Sequence, residues 1–128
     1  MAMIVTLPVP PSTNNRMTKG MRLTKEYRYW KVEASKLIEA VLEREPDDSR
    51  YAVTIHLYWG DKRRRDLDNF IKGPIDAVTE SECVWLDDSQ VDAIRVYREQ
   101  GHRDEVRMEE GTMQIVIEDL SKADEMPF

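Results

Sequence analysis

The sequence predicts a single α+β domain in which two helices pack against one small mixed sheet. Three observations support this prediction: a length of 128 residues, a hydrophobic content of 41%, and apolar patterns that alternate between two periods. A chain of this length normally forms one domain, and periods of 2 and 3.6 are those of strands and amphipathic helices. The expected order is β-α-β-α-β-β, with the domain over residues 1–120 and a frayed tail at 121–128.

The first half of the chain contains two predicted strands and a long helix. "MIVTLP" at 3–8 is typical of a short strand, and the prolines behind it end that strand. Thr24 is a suitable N-cap for a helix over 24–44, because apolar residues recur behind it at steps of three and four. Those residues are Tyr27, Trp30, Ala34, Leu37, Ile38, Val41 and Leu42. "YAVTIHLYW" at 51–59 alternates, which predicts a strand with one buried face.

The second half predicts a shorter helix and two further strands. The helix is expected from about Asn69 to Glu80, with a kink or a loosened first turn at Gly73-Pro74. A strand follows near 90–98. In "TMQIVIEDL", the last predicted strand, Met113, Ile115 and Ile117 alternate and are expected to face inward.

The net charge of the chain is −6, but its charged residues are unevenly distributed, so the net charge does not exclude a nucleic-acid partner. Seven Lys or Arg residues lie between Asn14 and Lys36, and "KRRR" follows at 62–65, whereas most of the acidic excess lies at 104–128. Local potential governs binding to a polyanion, so a nucleic-acid partner remains compatible with the net charge.

Membrane and secretory functions are not expected. No run of about 18 apolar residues occurs, as a membrane-spanning helix would require. The N-terminus lacks the pattern of a signal peptide, and Cys83, the one cysteine, has no intrachain disulfide partner. We therefore expect a cytoplasmic protein with no membrane partner.

The stretch "RRRDLDNFIKGPIDAV" at 63–78 places two aspartates directly behind three arginines. In an extended segment, Asp66 and Asp68 would lie on the same face, where their oxygens could converge on one cation. Asp87 and Asp88 supply further carboxylates. Oxygen ligands of this kind suit Mg²⁺, and a metal beside basic residues suits the hydrolysis of phosphodiesters.

Each of these residues also has a structural interpretation. Asp68 could cap the second helix, and Asp87 and Asp88 could simply form a turn. Lys72 and Asp76 are spaced for an ordinary salt bridge, although Lys72 could also reach a phosphate bound at the metal. The basic run at 62–65 could be a solvated turn. The residues alone leave these alternatives open.

Two separated motifs narrow the choice. "DKRRRDLDNFIKGPIDAV", followed by "VWLDDSQV", closely resembles the RusA family of Holliday-junction resolvases. The family pattern runs R-x-D-x-D-N, a lysine three residues on, D-A, and then D-D-x-Q-V. The opening "LPVPPSTNNR" is also similar, and the resemblance extends over about residues 4–98.

This resemblance implies a small homodimeric endonuclease that uses Mg²⁺, with Mn²⁺ as an alternative ion, to cut two opposing strands of a four-way DNA junction. It assigns Asp66, Asp68 and Asp88 as metal ligands and catalytic residues, with Lys72 as a further catalytic residue. Asp76 and Asp87 are supporting candidates. Candidates for DNA binding are Arg16, Lys62, Arg63, Arg64, Arg65 and Asn69. Two alternatives are an inactive junction-binding protein and a metal nuclease acting on other branched DNA or on RNA.

Gly73-Pro74 departs from the family pattern, which usually has larger aliphatic residues there. Surplus apolar surface for a dimer contact is expected on the second helix and on the turn after it, unless these residues close the core. The residues concerned are Phe70, Ile71, Ile75, Val78, Trp85 and Leu86.

Overall fold

The computed structural model describes residues 2–10, 24–58, 66–99, 102–103, 106–107 and 111–121. Over these ranges the strands are β1 Ala2–Pro8, β2 Tyr51–Tyr58, β3 Val91–Arg98, β4 His102–Arg103, β5 Val106–Arg107 and β6 Thr112–Asp119. The helices are α1 Lys25–Leu42 and α2 Lys72–Ser81. Short 3₁₀ turns precede α2, at Leu67–Phe70, and β3, at Asp88–Gln90. None of the described helices is both long and apolar enough to cross a lipid bilayer.

The main sheet has four strands in the order β1-β6-β2-β3. β6 pairs antiparallel with both β1 and β2, whereas β2 and β3 are parallel, so the sheet is mixed. The register places Val53 opposite Ile117 and Ile55 opposite Ile115, and all four side chains are buried. The predicted α+β class with one mixed sheet is confirmed, and the small β4–β5 hairpin is an addition that the sequence did not indicate.

Helix α1 begins as predicted, because the hydroxyl of Thr24 accepts a hydrogen bond from the backbone N–H of Tyr27 at 3.2 Å. The buried stripe is narrower than the sequence pattern suggested. Tyr27, Trp30, Ala34 and Ile38 are buried, but Leu37 and Val41 are exposed. Steps of three, four and four residues keep the buried set on one face. Leu37 lies at the edge of that face, whereas Val41 lies on it in the last turn of the helix.

Helix α2 begins three residues later than predicted, because residues 67–70 form a 3₁₀ turn instead of helix. Pro74 then lies in the first helical turn, where a missing N–H removes no intrahelical bond. A Cβ atom on Gly73 would lie 3.1 Å from side-chain carbons of Pro10 and 3.4 Å from the ring of Trp30. The glycine therefore permits the close approach of α2 to α1 and to the end of β1.

The residues that we expected as surplus apolar surface mainly close the core. Phe70, Ile75, Val78 and Trp85 are all buried within the single domain. Ile71 packs partly against this core, and only Leu86 is largely exposed, at 66%. The expected surplus apolar surface on α2 is therefore wrong, and the alternative that these residues close the core is confirmed. Gly73-Pro74 lies inside the same packed region and not on an exposed surface.

Candidate active site

An open pocket of about 520 Å³ lies between the start of α2 and strand β3. The 3₁₀ turn before α2 contributes Asp68, the first turn of α2 contributes Lys72, and the turn before β3 contributes Asp88. The rest of its lining is apolar and consists of Ile71, Ile75, Val91 and Ile94. The structure thus brings together three of the four predicted catalytic residues, from segments about 20 positions apart in the sequence.

Lys72 connects the helix to the acidic turn. Its Nζ atom lies 2.9 Å from Oδ1 of Asp76 and 3.5 Å from Oδ2 of Asp88. The hydrogen bond to Asp76, followed by the attraction of both carboxylates, raises the pKa of Lys72 against the effect of partial burial. The side chain therefore remains a cation at neutral pH. Lys72 forms the expected i,i+4 salt bridge and also lines the pocket, and its contact with a bound phosphate stays a prediction.

Asp66 and Asp68 are exposed, and neither carboxylate forms a hydrogen bond or ion pair with another described residue. The cap position of α2 is occupied by Ile71, so the interpretation of Asp68 as a helix cap is wrong. Asp66 is extended, but Asp68 lies within the 3₁₀ turn, so the expected alternation of an extended segment does not apply to the pair. Only Asp68 lines the pocket.

The two neighbouring aspartates before β3 have different surroundings. Asp87 caps the 3₁₀ turn: its carboxylate accepts the N–H of Ser89 at 3.0 Å, and Gln90 Oε1 accepts the N–H of Asp87 at 3.1 Å. The hydrogen bonds from Ser89 lower the pKa of Asp87. The Asp88 carboxylate instead lies beside Lys72 in the pocket. The turn-forming interpretation therefore applies to Asp87, and the site interpretation fits Asp88.

The acidic residues of the pocket fit a hard divalent cation. Within the part of the chain that the structure describes, no three Asp, Glu, His or Cys side chains converge on a ready-formed metal site. Mg²⁺ does not require such a cage, because it binds through one or two carboxylates and keeps several waters and substrate oxygens. Asp68 and Asp88 supply that number, and Asp66 begins the same turn as Asp68.

The predicted DNA-binding residues are mostly outside the described residues. This applies to Arg16, Lys62, Arg63, Arg64 and Arg65. Asn69 is half-buried in the 3₁₀ turn, where its backbone N–H donates to the carbonyl of Asp66 at 3.2 Å. Asn69 does not line the pocket, and its contact with DNA stays a prediction.

One residue beside the site was not singled out from the sequence. The hydroxyl of Tyr27, on α1, donates to Oδ2 of Asp76 at 2.6 Å. The sequence pattern placed Tyr27 only among the apolar residues of the core. Its hydroxyl was the available signal, because a buried tyrosine normally requires a hydrogen-bond partner.

Comparison with known proteins agrees with the resemblance read from the motifs. A family model described as Endodeoxyribonuclease RusA matches residues 8–117, which include all the pocket residues. The chain belongs to the RusA family. The Crossover junction endodeoxyribonuclease rusA of Enterobacteria phage 82 is 33% identical over an alignment of 97 residues that covers 73% of this chain and 80% of the relative. The corresponding RusA proteins of Escherichia coli (strain K12) and Shigella sonnei (strain Ss046) match to the same extent.

Proposed function

We propose that this protein is a Mg²⁺-dependent endodeoxyribonuclease that resolves four-way DNA junctions by paired, symmetric nicks as a homodimer. The observation that supports it best is the pocket that Asp68, Lys72 and Asp88 share in a chain of the RusA family. The curated relatives are named crossover junction endodeoxyribonucleases. The proposal extends that activity to this chain.

The residues of the pocket have distinct roles in this proposal. Asp68 and Asp88 hold the metal, and Asp66 is available as a third ligand. When bound, Mg²⁺ supplies a Lewis acid for the phosphate and lowers the pKa of a coordinated water. Lys72 places a fixed positive charge where the phosphate gains negative charge, which stabilises the transition state more than the substrate. The arginines at 63–65 hold the backbone of a junction arm, and hydrolysis leaves a 5′-phosphate and a 3′-hydroxyl.

The carboxylates of the pocket require cations beside them if a phosphodiester is to bind there. Without a metal, Asp68 and Asp88 would repel a phosphodiester at close range, and one lysine does not offset two carboxylates. A divalent ion reverses that balance and attracts the phosphate. Activity should therefore depend strictly on the ion, and DNA affinity should rise when a divalent ion replaces EDTA.

A comparison of substrates tests the proposal directly. We expect the wild-type protein to cut a mobile four-way junction with Mg²⁺, or with Mn²⁺, and to leave it intact in EDTA. Linear duplex, flapped DNA and an RNA hairpin of matched length serve as controls. Binding without cutting under every ionic condition would indicate an inactive junction-binding protein. Faster cutting of the flap or the hairpin would indicate a nuclease for other branched substrates.

The homodimer is the part of the proposal that follows from symmetry. An open four-way junction has two-fold symmetry, and two cuts in opposing strands require two active sites on one particle. Sedimentation equilibrium at micromolar concentration, without DNA, should give twice the mass of one chain. If the mass is that of one chain and paired cutting is retained, the dimer forms only on DNA or the symmetry argument is wrong.

A further inference from the structure

Three side chains, joined by a hydrogen bond and an ion pair, connect the buried face of α1 to the pocket. The hydroxyl of Tyr27 donates to Oδ2 of Asp76 at 2.6 Å, and Oδ1 of Asp76 accepts from Nζ of Lys72 at 2.9 Å. Lys72 then lies 3.5 Å from Asp88 at the pocket. Tyr27 and Asp76 do not line the pocket themselves.

The Tyr27 end of this path is held firmly. Tyr27 is 1% exposed, and its ring lies 6.3 Å from that of Trp30. The indole Nε1–H of Trp30 donates to the carbonyl of Pro8 at 2.9 Å, which links the same part of α1 to β1. The hydroxyl of Tyr27 therefore has a position set by the core, and Asp76 accepts a bond whose donor cannot move freely.

The lysine would be poorly positioned without this support. An exposed i,i+4 pair on a helix is a weak interaction, and a lysine side chain has many rotamers to choose among. Asp76 changes this situation because each of its two oxygens has a separate donor. With Oδ2 held by Tyr27, Oδ1 faces Lys72, and the ammonium group is directed toward Asp88.

We propose that Tyr27 and Asp76 are positioning residues for Lys72, and that they fix its ammonium group where the scissile phosphate binds. This inference rests on the proposed function, since it assumes that Lys72 acts on a phosphate in the pocket. Asp76 positions the lysine directly, and Tyr27 acts through Asp76. Neither contacts the substrate.

A purely structural role gives a different expectation. In that case the bond between Tyr27 and Asp76 only joins α1 to α2, and its loss lowers stability but not the cleavage rate. The position of a catalytic group strongly affects the reaction rate, because a small displacement of its charge reduces the stabilisation of the transition state. The two roles therefore separate in a single-turnover experiment with saturating protein at a temperature where every variant is folded.

Tyr27→Phe is the decisive variant, and Tyr51→Phe is its matched control. Tyr51 is also fully buried, and its hydroxyl also bonds an aspartate, Asp47, but it does not line the pocket. We expect Tyr27→Phe to slow single-turnover cleavage of a four-way junction about tenfold, which corresponds to one hydrogen bond to a charged group. Junction affinity in EDTA should not change. Tyr51→Phe should cleave at the wild-type rate.

Two further variants distinguish the inference from the function on which it rests. Asp76→Asn keeps the shape and removes the charge, so it should slow cleavage more than Tyr27→Phe. In a Lys72→Met background, Tyr27→Phe should cause no further slowing, because both changes act through the same ammonium group.

If Lys72→Met is slow but Tyr27→Phe and Asp76→Asn cleave at the wild-type rate, the positioning role is overturned and the proposed function stands. Independent slowing by Tyr27→Phe in the Lys72→Met background would also overturn it. Wild-type cleavage by Lys72→Met would overturn both the positioning role and the assigned role of the lysine.

Discussion

Two clusters in this molecule contain the same chemical groups but use them differently. The pocket cluster consists of Tyr27, Lys72, Asp76 and Asp88. The loop cluster consists of Arg44 and Asp47, in the loop between α1 and β2, and of Tyr51, the first residue of β2. Each cluster combines one cationic side chain, at least one carboxylate and the hydroxyl of a buried tyrosine.

In the loop cluster, the polar groups are satisfied within the protein. Arg44 donates to the carbonyl of Cys83 at 2.8 Å and to Asp47 at 3.0 Å. Asp47 also accepts from the N–H of Ser49 at 3.1 Å and from the Tyr51 hydroxyl. Burial and the bond to Asp47 raise the pKa of Tyr51 to about 12. This cluster has little capacity left for a ligand and holds the loop in place.

In the pocket cluster, the groups are only partly satisfied. The Lys72 side chain remains 45% exposed, and its second carboxylate lies at 3.5 Å. Asp68 lines the same pocket and pairs with none of the other described residues. Residue types alone therefore do not identify a site. The pocket differs from the loop cluster because its charged groups remain exposed to solvent and can form further hydrogen bonds and ion pairs.

The largest expected effect comes from changing carboxylates in the pocket. Asp88→Asn should reduce the cleavage rate at least about 100-fold, because it removes a charged ligand of the metal that stabilises the transition state. Junction binding should be unchanged or tighter, since a repulsion with phosphate is lost. Asp68→Asn should behave in the same way, and both can be measured by single-turnover cleavage and by binding in EDTA.

Asp87→Asn is the matched control, because asparagine also caps a turn. We expect a much smaller loss of cleavage from it than from Asp88→Asn. A larger loss at Asp87 would reverse the assignment of the two residues. Cleavage at the wild-type rate by Asp68→Asn would refute the metal site.

The second prediction concerns the basic segment that precedes the pocket. Replacing Arg63, Arg64 and Arg65 together by Ala should weaken junction affinity and flatten its dependence on salt. Each lost phosphate contact should reduce the slope of log K against log salt by roughly one unit. Affinity titrations from low to moderate salt provide the measurement. An unchanged slope would shift the DNA-binding face to the basic stretch at 14–36.

The third prediction concerns the loop cluster, where a substitution should lower the stability of the fold without changing the rate of DNA cleavage. Asp47→Ala removes the acceptor for Arg44 and Tyr51 and should lower the free energy of unfolding by about 1 kcal/mol, given that Asp47 is 39% exposed. Urea denaturation measures the loss, and Asp48→Ala, an exposed neighbour, is the control. A variant that is fully stable but slow in cleavage would contradict the division between the two clusters.

The smallest expected effect is a dependence of this stability on pH. Hydrogen bonds from Tyr51 and Ser49 and the charge of Arg44 outweigh desolvation and lower the pKa of Asp47 in the folded state. A lowered folded pKa means stabilisation that is complete above the unfolded value and is lost as the pH falls through the folded one. The difference in urea midpoint between wild type and Asp47→Asn should therefore shrink below about pH 5. A constant difference down to pH 3 would contradict the assigned cause.

Much of the fold was predictable because it depends on local periodicity. Alternation predicted the buried face of β6 and the buried Tyr51, Val53, Ile55 and Leu57 of β2, and Thr24 predicted the start of α1, since these features follow from backbone geometry and nearest neighbours. The expectation of a single buried face on β2 was wrong in its second half, because His56 and Tyr58 on the other face are buried as well. The acidic and basic motifs also indicated Asp68, Lys72 and Asp88 before their positions were known. They did so through the resemblance of the two motifs to the RusA family, since the residue types and spacing alone left structural interpretations open.

Other features depended on contacts between distant segments, and only the tertiary structure decided them. The resemblance had assigned Asp88, but the different surroundings of the two aspartates are visible only in the fold, which directs the Asp87 carboxylate back to Ser89 and the Asp88 carboxylate toward Lys72. The close approach at Gly73 and the bond from Tyr27 to Asp76 require α1 and α2 to pack together. Tyr27 and Asp76 are 49 residues apart in the sequence, and no local pattern encodes their distance. Their bond exists because burying apolar surface brings the two helices into contact, and that burial is a property of the whole fold.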